Sequence, residues 1–222
     1  MSESLKTKAL FDLSHTRMGG YLENVEYPWQ ALEHIGTWIM EIGATLPAEN
    51  FDHPAEGIWI AKSARVAKSA EINGPCIIGE NAEVRHCAFI RGNALVGDGA
   101  VVGNSTELKN VILFDGVQVP HYNYVGDSIL GYKAHLGAGA VTSNVKSDKT
   151  PVVIRCDGEC LETGRKKVGA MVGDGVEVGC GSVLNPGTVI GRGSSVYPLS
   201  SVRGVIGANC IYKKCGEIVG KR

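Results

Sequence analysis

The chain of 222 residues is long enough for one sizeable core, or for a core with an appendage. Its formal net charge of −1 mixes both signs, so nothing in the charge points to nucleic acid or an acidic membrane as a partner. No apolar run approaches the roughly 20 residues of a membrane span, and the start of the chain lacks the apolar segment of a signal peptide. The seven cysteines are scattered, so we expect free thiols in a reducing cytoplasm.

Residues 1–56 do not share the repeat that follows and are predicted to form a helical extension. Within YPWQALEHIGTWIMEIG, apolar residues recur three or four positions apart at Trp29, Leu32, Ile35, Ile39 and Ile42. Pro28 suits the first position of a helix, and Gly43 suits the position after its end. We predict an amphipathic helix over 28–42 that packs on the rest of the chain or on a neighbouring subunit, and a shorter helix in LKTKALFDL.

Residues 57–210 follow a period of six. Large apolar residues recur at Ile60, Val66, Ile72, Ile78, Val84, Ile90, Val96, Val102, Leu108 and Phe114, and again at Val172, Val178, Leu184, Ile190, Val196 and Val202. Small residues follow four positions later at Ala64, Ala70, Cys76, Ala82, Ala88, Ala94, Ala100, Thr106, Ser182, Thr188, Ser194 and Ser200. Residues that tolerate positive φ follow three positions after the large ones at Asn81, Asn93, Gly99, Gly175, Gly181, Gly187 and Gly193.

A period of six fits neither a helix, with its period of 3.6, nor a plain strand, with its period of two. It fits an all-β solenoid in which each hexapeptide is a short strand plus a corner, and three hexapeptides make a triangular coil. The large residue points into the prism, and the small one sits where the interior narrows. Since the large, small and corner positions agree, the pattern predicts a β-helix over residues 57–210.

Two further segments depart from the repeat. Residues 146–170 are an insertion in which TPVVIRCDGECLETG predicts a hairpin about the turn Asp157–Gly158, projecting from a corner of the prism. The segment TGRKK leads from this hairpin back into the repeat. Residues 211–222 are predicted to be a solvated tail.

The six-residue step fails between Pro120 and Leu130, within VPHYNYVGDS. A break in a solenoid is a place where a side chain can be re-aimed, and this break contains His121. It is therefore a candidate functional site. The alternative is a loop whose histidine and tyrosines face solvent or a subunit contact.

Two cations form a second candidate feature. Arg91 and Lys109 each directly follow a large apolar position, and they are separated by three hexapeptides, so they should lie on adjacent coils about 4.8 Å apart. Stacked cations repel unless an anion lies between them, which favours a clamp for a phosphate or carboxylate. The alternative is that both side chains extend into water.

These motifs carry a resemblance to a known family. FIRGNALVGDGAVVGNSTELKN, HYNYVGDSILG and LGAGAVTSN resemble the acetyltransferase domain of the bifunctional bacterial enzyme that acetylates glucosamine 1-phosphate and then uridylylates the product. TGRKKVGAMVGDG resembles the C-terminal domains of archaeal sugar-1-phosphate nucleotidylyltransferases. The resemblance covers most of residues 58–206 and implies the left-handed parallel β-helix of hexapeptide-repeat transferases. Residues 1–57 contain no Gly-rich nucleotide loop, so we expect no uridylyltransferase activity.

The resemblance implies roles for individual residues on the acceptor side. His121 matches the catalytic base of the family, and Arg91 and Lys109 match its sugar-phosphate contacts. Further substrate contacts are implied at Tyr124, Asn144 and Lys167. His135 stands where the family has an asparagine that contacts the sugar, which leaves the identity of the sugar open.

On the donor side, Ala138 matches the position whose backbone N–H faces the thioester carbonyl of acetyl-CoA. The coenzyme should lie along the later coils, around Cys180 and Pro198. Cys180 stands where the family has a serine, which leaves the contacts to the coenzyme open.

The predicted function is acetyl transfer from acetyl-CoA to the amine of a phosphorylated amino sugar, with His121 as general base. The predicted enzyme is a cytoplasmic homotrimer with sites between subunits, which works alone or beside a separate sugar nucleotidyltransferase and needs no metal. One alternative is a catalytically silent protein that binds a sugar nucleotide or a partner enzyme. Another is a zinc hydratase that uses His86 and His121, which are close to two coils apart.

Overall fold

The computed structural model describes residues 2–156, 158–213 and 216–221. Its helical segments are the 3₁₀ helices Ser2–Leu5, Leu13–His15 and Pro28–Glu33 and the α-helices α1 (Thr7–Leu10), α2 (Gly19–Leu22) and α3 (Ile35–Gly43). Within those described ranges, no helix is long and apolar enough to cross a membrane.

The strands, numbered β1 to β25 in chain order, are Phe51–Ala55, Ile58–Ala61, Arg65–Val66, Glu71–Ile72, Cys76–Ile78, Glu83–Val84, Phe89–Ile90, Ala94–Val96, Val101–Asn104, Glu107–Leu113, Gln118–His121, Tyr124–Leu130, His135–Leu136, Val141–Thr142, Val153–Cys156, Glu159–Glu162, Ala170–Val172, Glu177–Val178, Val183–Leu184, Thr188–Ile190, Ser195–Val196, Ser201–Val202, Val205–Ile206, Cys210–Tyr212 and Ile218–Gly220.

The predicted left-handed parallel β-helix of hexapeptide repeats is confirmed. Its first face contains β2, β5, β8, the ends of β10 and β12, and then β17, β20 and β23. Its second face is the ladder β3, β6, β9, β11, β13, β18, β21 and β24. Its third face contains β4, β7, the starts of β10 and β12, and then β14, β19 and β22. Neighbours on each face pair in parallel, so each coil lies directly against the one before it.

The change of period begins earlier than the sequence suggested. Ile90 pairs with Leu108, which is a step of three full hexapeptides, whereas the step from Ala94 to its partner Val111 is shorter by one position. The coil therefore loses one residue at Asn110. Leu113 pairs with Val96 and Val119 pairs with Val102, so these two residues occupy the inward positions of the ladder. The six-residue count had instead placed the residues after them, Phe114 and Pro120, at those positions.

The outer surface of the first face is apolar, and the N-terminal extension covers it. The middle residue of each three-residue strand segment on this face is fully buried, namely Ile77, Leu95, Ile112, Ile129, Met171 and Val189. Trp29, Leu32, Ile35 and Ile39 are buried in the same core cluster. The predicted packing of the helical segment on the rest of the chain is therefore confirmed, and it removes a large apolar area from water.

The helix predicted over 28–42 differs in detail. Pro28 begins a 3₁₀ helix that ends at Glu33, and α3 then begins at Ile35. Gly43 is the last residue of α3 rather than the residue beyond it. A Cβ atom at Gly43 would overlap the indole ring of Trp59 on β2. The glycine therefore allows the helix to approach the β-helix closely, which is a packing role and not a capping role.

The insertion and the described part of the C-terminal segment both contact the β-helix. β15 and β16 form the expected antiparallel hairpin, although Asp157 of the predicted turn lies outside the described residues. The hairpin does not simply project, because Val152 and Ile154 are buried and Val152 packs over Gly187. Residues 211–222 were predicted to form a solvated tail. Ile211 and Tyr212 instead belong to β24, which continues the second face, and β25 pairs antiparallel with β24.

We predict that Gly43→Ala lowers the free energy of unfolding by about 1–3 kcal/mol, because the added methyl group must displace α3 or the ring of Trp59. Alanine has the better helix propensity by about 1 kcal/mol, so an unstrained site would give the opposite sign. Gly20→Ala in α2 is the matched control, since an added Cβ there meets no atom within 4 Å. Urea unfolding of both variants measures the difference, and equal or greater stability of the Gly43 variant would contradict the packing role.

Candidate active site

One corner of the β-helix, between the second and third faces, carries His121, and we call it the histidine corner. At each coil one residue with positive φ turns the chain, and this row contains Cys87, Ser105, Tyr122, Gly139, Gly181 and Leu199. Each of these N–H groups from Ser105 onward donates to the carbonyl of the residue before the turn in the preceding coil. The residues before the turn therefore form a second row, which is His86, Asn104, His121, Ala138, Cys180 and Pro198.

This register brings together four residues that the sequence analysis had assigned to catalysis or to the coenzyme. His121 lies beside Ala138, Ala138 beside Cys180, and Cys180 beside Pro198, one coil apart in each case. Adjacent strands are about 4.8 Å apart, so these residues span roughly 14 Å along one edge of the molecule. The side chains of His121 and Cys180 and the Ala138 methyl are all exposed.

The buried side chain of Asn123 forms hydrogen bonds that hold the backbone of the histidine corner together. It is 2% exposed, and its Nδ2 donates to the carbonyls of Gly137 and Ala140, both at 2.9 Å. Its Oδ1 accepts from the N–H of His121 at 3.1 Å. One buried amide therefore ties the backbone of His121 to the turn that contains Ala138.

The turn from Gly137 to Gly139 offers one unoccupied donor. The N–H of Gly137 donates to Val178 at 2.7 Å, and the N–H of Gly139 donates to His121 at 3.0 Å. Within the part of the chain that the structure describes, the N–H of Ala138 has no acceptor. It therefore remains available to stabilise a negative oxygen placed beside His121.

The far end of the same corner opens into a cleft of about 710 Å³, lined by Tyr197, Pro198, Leu199, Ser200, Ser201, Tyr212 and Gly216. Leu199 is 86% exposed and has a φ of 57°. An exposed leucine in this conformation is uncommon, and such backbone strain is frequent at binding sites. The sequence analysis identified only Pro198 here.

A second polar group lies at the corner between the third and first faces, which we call the aspartate corner. Its turn residues Asn93, Asn110 and Asp127 all have positive φ. The carboxylate of Asp127 is only 3% exposed. It accepts from Asn110 Nδ2 at 3.0 Å and from Asn144 Nδ2 at 2.6 Å, and Lys109 Nζ lies 3.4 Å away.

Tyr124 connects this corner to the third face. Its hydroxyl accepts from Asn144 at 3.3 Å, and a Cβ at Gly126 would lie 2.5 Å from the hydroxyl oxygen. The ring therefore lies along the strand over Gly126, where only glycine leaves room for it. Burial, assisted by the Asp127 carboxylate, raises the pKa of Tyr124 above its ordinary value, so the hydroxyl keeps its proton and can donate to a ligand.

The two stacked cations are each paired with a carboxylate of the chain itself. Arg91 contacts Glu107 at 2.7 Å, and hydrogen bonding to Glu107 raises the pKa of the Arg91 guanidinium. Lys109 is paired with Asp127. Arg91 and Lys109 lie on adjacent coils, because the residues directly before them, Ile90 and Leu108, pair with each other. The structure therefore supplies carboxylates at the stack, and an external anion is not required to relieve the repulsion.

Lys167 and His135, which were both predicted to contact the substrate, lie in different parts of the structure. Lys167 forms a backbone bridge with Val145 and lines the same cleft as Lys109, which brings it to the aspartate corner. His135 lies on the second face, where its Nδ1 is 2.7 Å from Glu177. Within one chain, His135 is therefore separated from Tyr124 by the histidine corner.

Sequence reasoning missed Asp127, Asn110 and Asn123. Asp127 and Asn110 were hidden by the shortened coils, because the six-residue count no longer marked them as corner positions. Asn123 lies one shortened coil after the buried Thr106 and occupies the same inward position, as the bond from Asn123 N to Thr106 Oγ1 shows. A repeat count that allows a coil of 17 instead of 18 residues places Asn110 and Asp127 at corner positions and Asn123 at an inward position.

The row at the histidine corner also bears on the zinc interpretation. His86 and His121 lie in this row with Asn104 between them, so they are two strand spacings apart, or about 10 Å. A catalytic zinc site uses three protein ligands, so these two histidines alone do not make one. No cluster of three or more His, Cys, Asp or Glu side chains that could hold a metal occurs among the described residues.

Comparisons with known proteins agree with this architecture. The family model of the GMPPB C-terminal domain matches residues 72–190. The bifunctional protein GlmU of Methanococcus maripaludis (strain C5) is 38% identical over 110 residues, which is 50% of this chain and 24% of that protein. The bifunctional sugar-1-phosphate nucleotidylyltransferase/acetyltransferase of Sulfurisphaera tokodaii is 26% identical over 206 residues, which is 87% of this chain and 49% of that protein.

The chain thus spans between a quarter and a half of the length of these curated relatives. Among solved structures, the polySia-specific acetyltransferase NeuO is 11% identical with a TM-score of 0.46, and the match covers 75% of this chain and 88% of that one.

We predict that Asn123→Ala lowers the free energy of unfolding by about 2–4 kcal/mol, because two carbonyls and one N–H lose their partners inside the protein. Asn104→Ala is the control at the same corner, where one half-exposed amide donates to His86 at 3.0 Å. That control should cost less than about 1 kcal/mol. Urea unfolding compares them, and equal losses would show that Asn123 does not fasten the corner.

Proposed function

The chain belongs to the family of the GMPPB C-terminal domain, and we propose that it transfers an acetyl group from acetyl-CoA to the amine of a phosphorylated amino sugar. The observation that carries this proposal is the register at the histidine corner. His121 and the N–H of Ala138, which has no acceptor among the described residues, lie side by side on consecutive coils, and Cys180 and Pro198 continue the same row. A general base and an oxyanion donor are the two groups that acyl transfer needs.

In this mechanism, His121 accepts a proton from the sugar ammonium, because only the neutral amine is a nucleophile. The amine nitrogen then bonds to the thioester carbonyl carbon, and the N–H of Ala138 donates to the oxygen that becomes negative. The intermediate collapses as the carbon–sulfur bond breaks. The proton held by His121 passes to the leaving thiolate, and the extra proton on the new amide nitrogen is released to solvent. The glycines Gly137 and Gly139 flank Ala138 and leave room for the thioester to approach.

The residues present suit the acetyl donor. Its thioester would lie at Ala138, with the rest of the molecule along Cys180 and Pro198 and into the cleft that contains Tyr197 and Leu199. This cleft is partly apolar and is continuous with the row, as a long ligand requires.

The aspartate corner supports a polar, phosphorylated acceptor. The hydroxyl of Tyr124 has a proton to donate, and Lys109 and Asn144 are held in place by the buried carboxylate of Asp127. Arg91 is exposed on the third face beside the position of Lys109. Fixed donors of this kind orient a phosphate and a sugar hydroxyl toward the base.

The relative from Sulfurisphaera tokodaii is named for both nucleotidylyltransferase and acetyltransferase activities, and the present chain spans about half of that protein. The second of these activities supports the acetyl transfer proposed for this chain.

We predict that His121→Ala lowers kcat by about 10²- to 10⁴-fold, the usual effect of removing a general base, and that His121→Asn has the same effect. Thiol release from acetyl-CoA with glucosamine 1-phosphate or a related acceptor measures the loss in both variants.

His86→Ala is the matched control, since His86 is exposed in the same row but two coils from His121. Its kcat should stay within a factor of a few of wild type. Turnover of the His121 variants at a similar level would rule out this residue as the base.

A catalytically silent binding protein is the second candidate. The pairing of Arg91 with Glu107 and of Lys109 with Asp127 favours it, because both predicted clamp cations are already neutralised. Such a protein has no need to bind the acetyl donor. A rise in the melting temperature with coenzyme A supports the enzyme, and its absence together with no thiol release supports the silent protein.

We predict a homotrimer whose contacts involve the histidine corner. Four of the large apolar side chains exposed among the described residues lie at or beside this corner: Phe89, Tyr122, Tyr197 and Leu199. Clustered exposed apolar groups mark interaction surfaces. Sedimentation should therefore give three times the 23.5 kDa of one chain.

Leu199→Glu should shift the association equilibrium from the trimer toward smaller species. Met40→Glu, on the outer side of α3, should leave that equilibrium unchanged. A monomeric wild type at micromolar concentration would remove the intersubunit contact from this account.

A further inference from the structure

A cleft of about 610 Å³ lies at the aspartate corner, where three separate parts of the chain meet. Leu32 and Glu33 come from the N-terminal extension, the corner contributes Asn93, Lys109, Asn110 and Asp127, and the insertion contributes Gly164, Arg165, Lys166 and Lys167. The volume is within the range of ligand-binding pockets, about 300–1,000 Å³, and is more than a single phosphate group needs.

The charges in this cleft do not balance. Lys109 is paired with Asp127 at 3.4 Å, and Arg165 is paired with Glu33 at 3.4 Å. Lys166 and Lys167 have no carboxylate partner among the described residues, and both are exposed. The cleft therefore has two surplus positive charges, and both of them come from the insertion.

The backbone that carries these lysines is held against the β-helix. Lys167 bridges Val145, and the N–H of Val168 donates to Asn144 at 3.0 Å. On the other side, the carbonyl of Arg165 accepts from Val152, whose side chain is buried. The lysines are thus attached next to Asn144, which contacts both Tyr124 and Asp127.

Cations therefore occur in two groups near the acceptor side of the site. Arg91 lies on the third face and does not line the cleft, whereas Lys166 and Lys167 lie on the insertion at its edge. Two linked phosphates followed by a further polar group fit both the distribution of charge and the volume.

We propose that this cleft binds the diphosphate of a nucleotide-linked amino sugar, with Lys166 and Arg165 as ligand contacts beyond those of a sugar monophosphate. This inference rests on the proposed acetyl transfer, because it names the acceptor class of the same site. The sugar amine points toward the histidine corner, and the nucleoside diphosphate lies between the insertion and the N-terminal extension.

The binding experiment needs no catalytic activity. Isothermal titration of the full chain with UDP should give a Kd at least tenfold lower than titration with inorganic phosphate. Lys166→Ala should raise the Kd for UDP about tenfold, Lys166→Glu should raise it further, and added salt should weaken the binding. Lys68→Ala is the control, because it removes an exposed lysine that does not line the cleft. It should leave the Kd for UDP within a factor of two.

Equal affinity for UDP and phosphate, or equal affinity of the Lys166 and Lys68 variants for UDP, would overturn the proposal. Inorganic pyrophosphate separates the two parts of the ligand. Binding of pyrophosphate as tight as that of UDP would overturn a nucleoside contact, and weaker binding supports one.

A second measurement separates this inference from the proposed function. Thiol release is followed with glucosamine presented as the 1-phosphate and as the UDP ester. A lower KM for the UDP ester, raised about tenfold in Lys166→Ala with kcat unchanged, supports the inference. Turnover that favours the 1-phosphate overturns the inference and leaves the acetyl transfer intact. UDP binding that depends on Lys166, without thiol release from either acceptor, retains the binding site but contradicts the transfer.

Discussion

The contacts at both corners of the candidate site depend on the parallel register of successive coils. A residue has its lateral neighbours one coil before and one coil after, so the number of residues in a coil decides which side chains meet. His121 lies beside Ala138 because the coil between them is one of the shortened ones, and Ala138 lies beside Cys180 because the insertion leaves the chain in the same row on its return. The row continues from Asn104 to His121 and Ala138 although these coils are shorter by one residue, so the corner positions are kept while the coil length changes.

The fold was readable from the sequence because a solenoid repeats its own environment. Each large apolar residue occupies the same inward position as its counterpart in the coil before, so the signal accumulates along the chain. The helical segment near Trp29 was also predictable, and so was its packing. The apolar first face left its own trace, because an apolar residue precedes the inward one on that face in coil after coil, as at Ile77 before Ile78 and Leu95 before Val96.

The site was predicted less completely. His121, Ala138, Cys180 and Pro198 were assigned through resemblance to a family, and the structure then placed them in one row. The buried Asp127 was missed because it acts through Lys109 and Asn144, and no local pattern distinguishes such a carboxylate from any other aspartate in a turn. Gly43 was misassigned for a related reason. Its requirement comes from Trp59, and a contact between distant parts of the chain has no local signature.

Both ends of the β-helix are closed by strands that run the opposite way. β1 pairs antiparallel with β2 before the first coils, and β25 pairs antiparallel with β24 after the last ones. A bare terminal coil would present a row of unpaired N–H and C=O groups to which a second molecule could add its own coil in parallel. One face at each end is therefore already paired in the opposite sense, which disfavours the addition of a second molecule in parallel at that face.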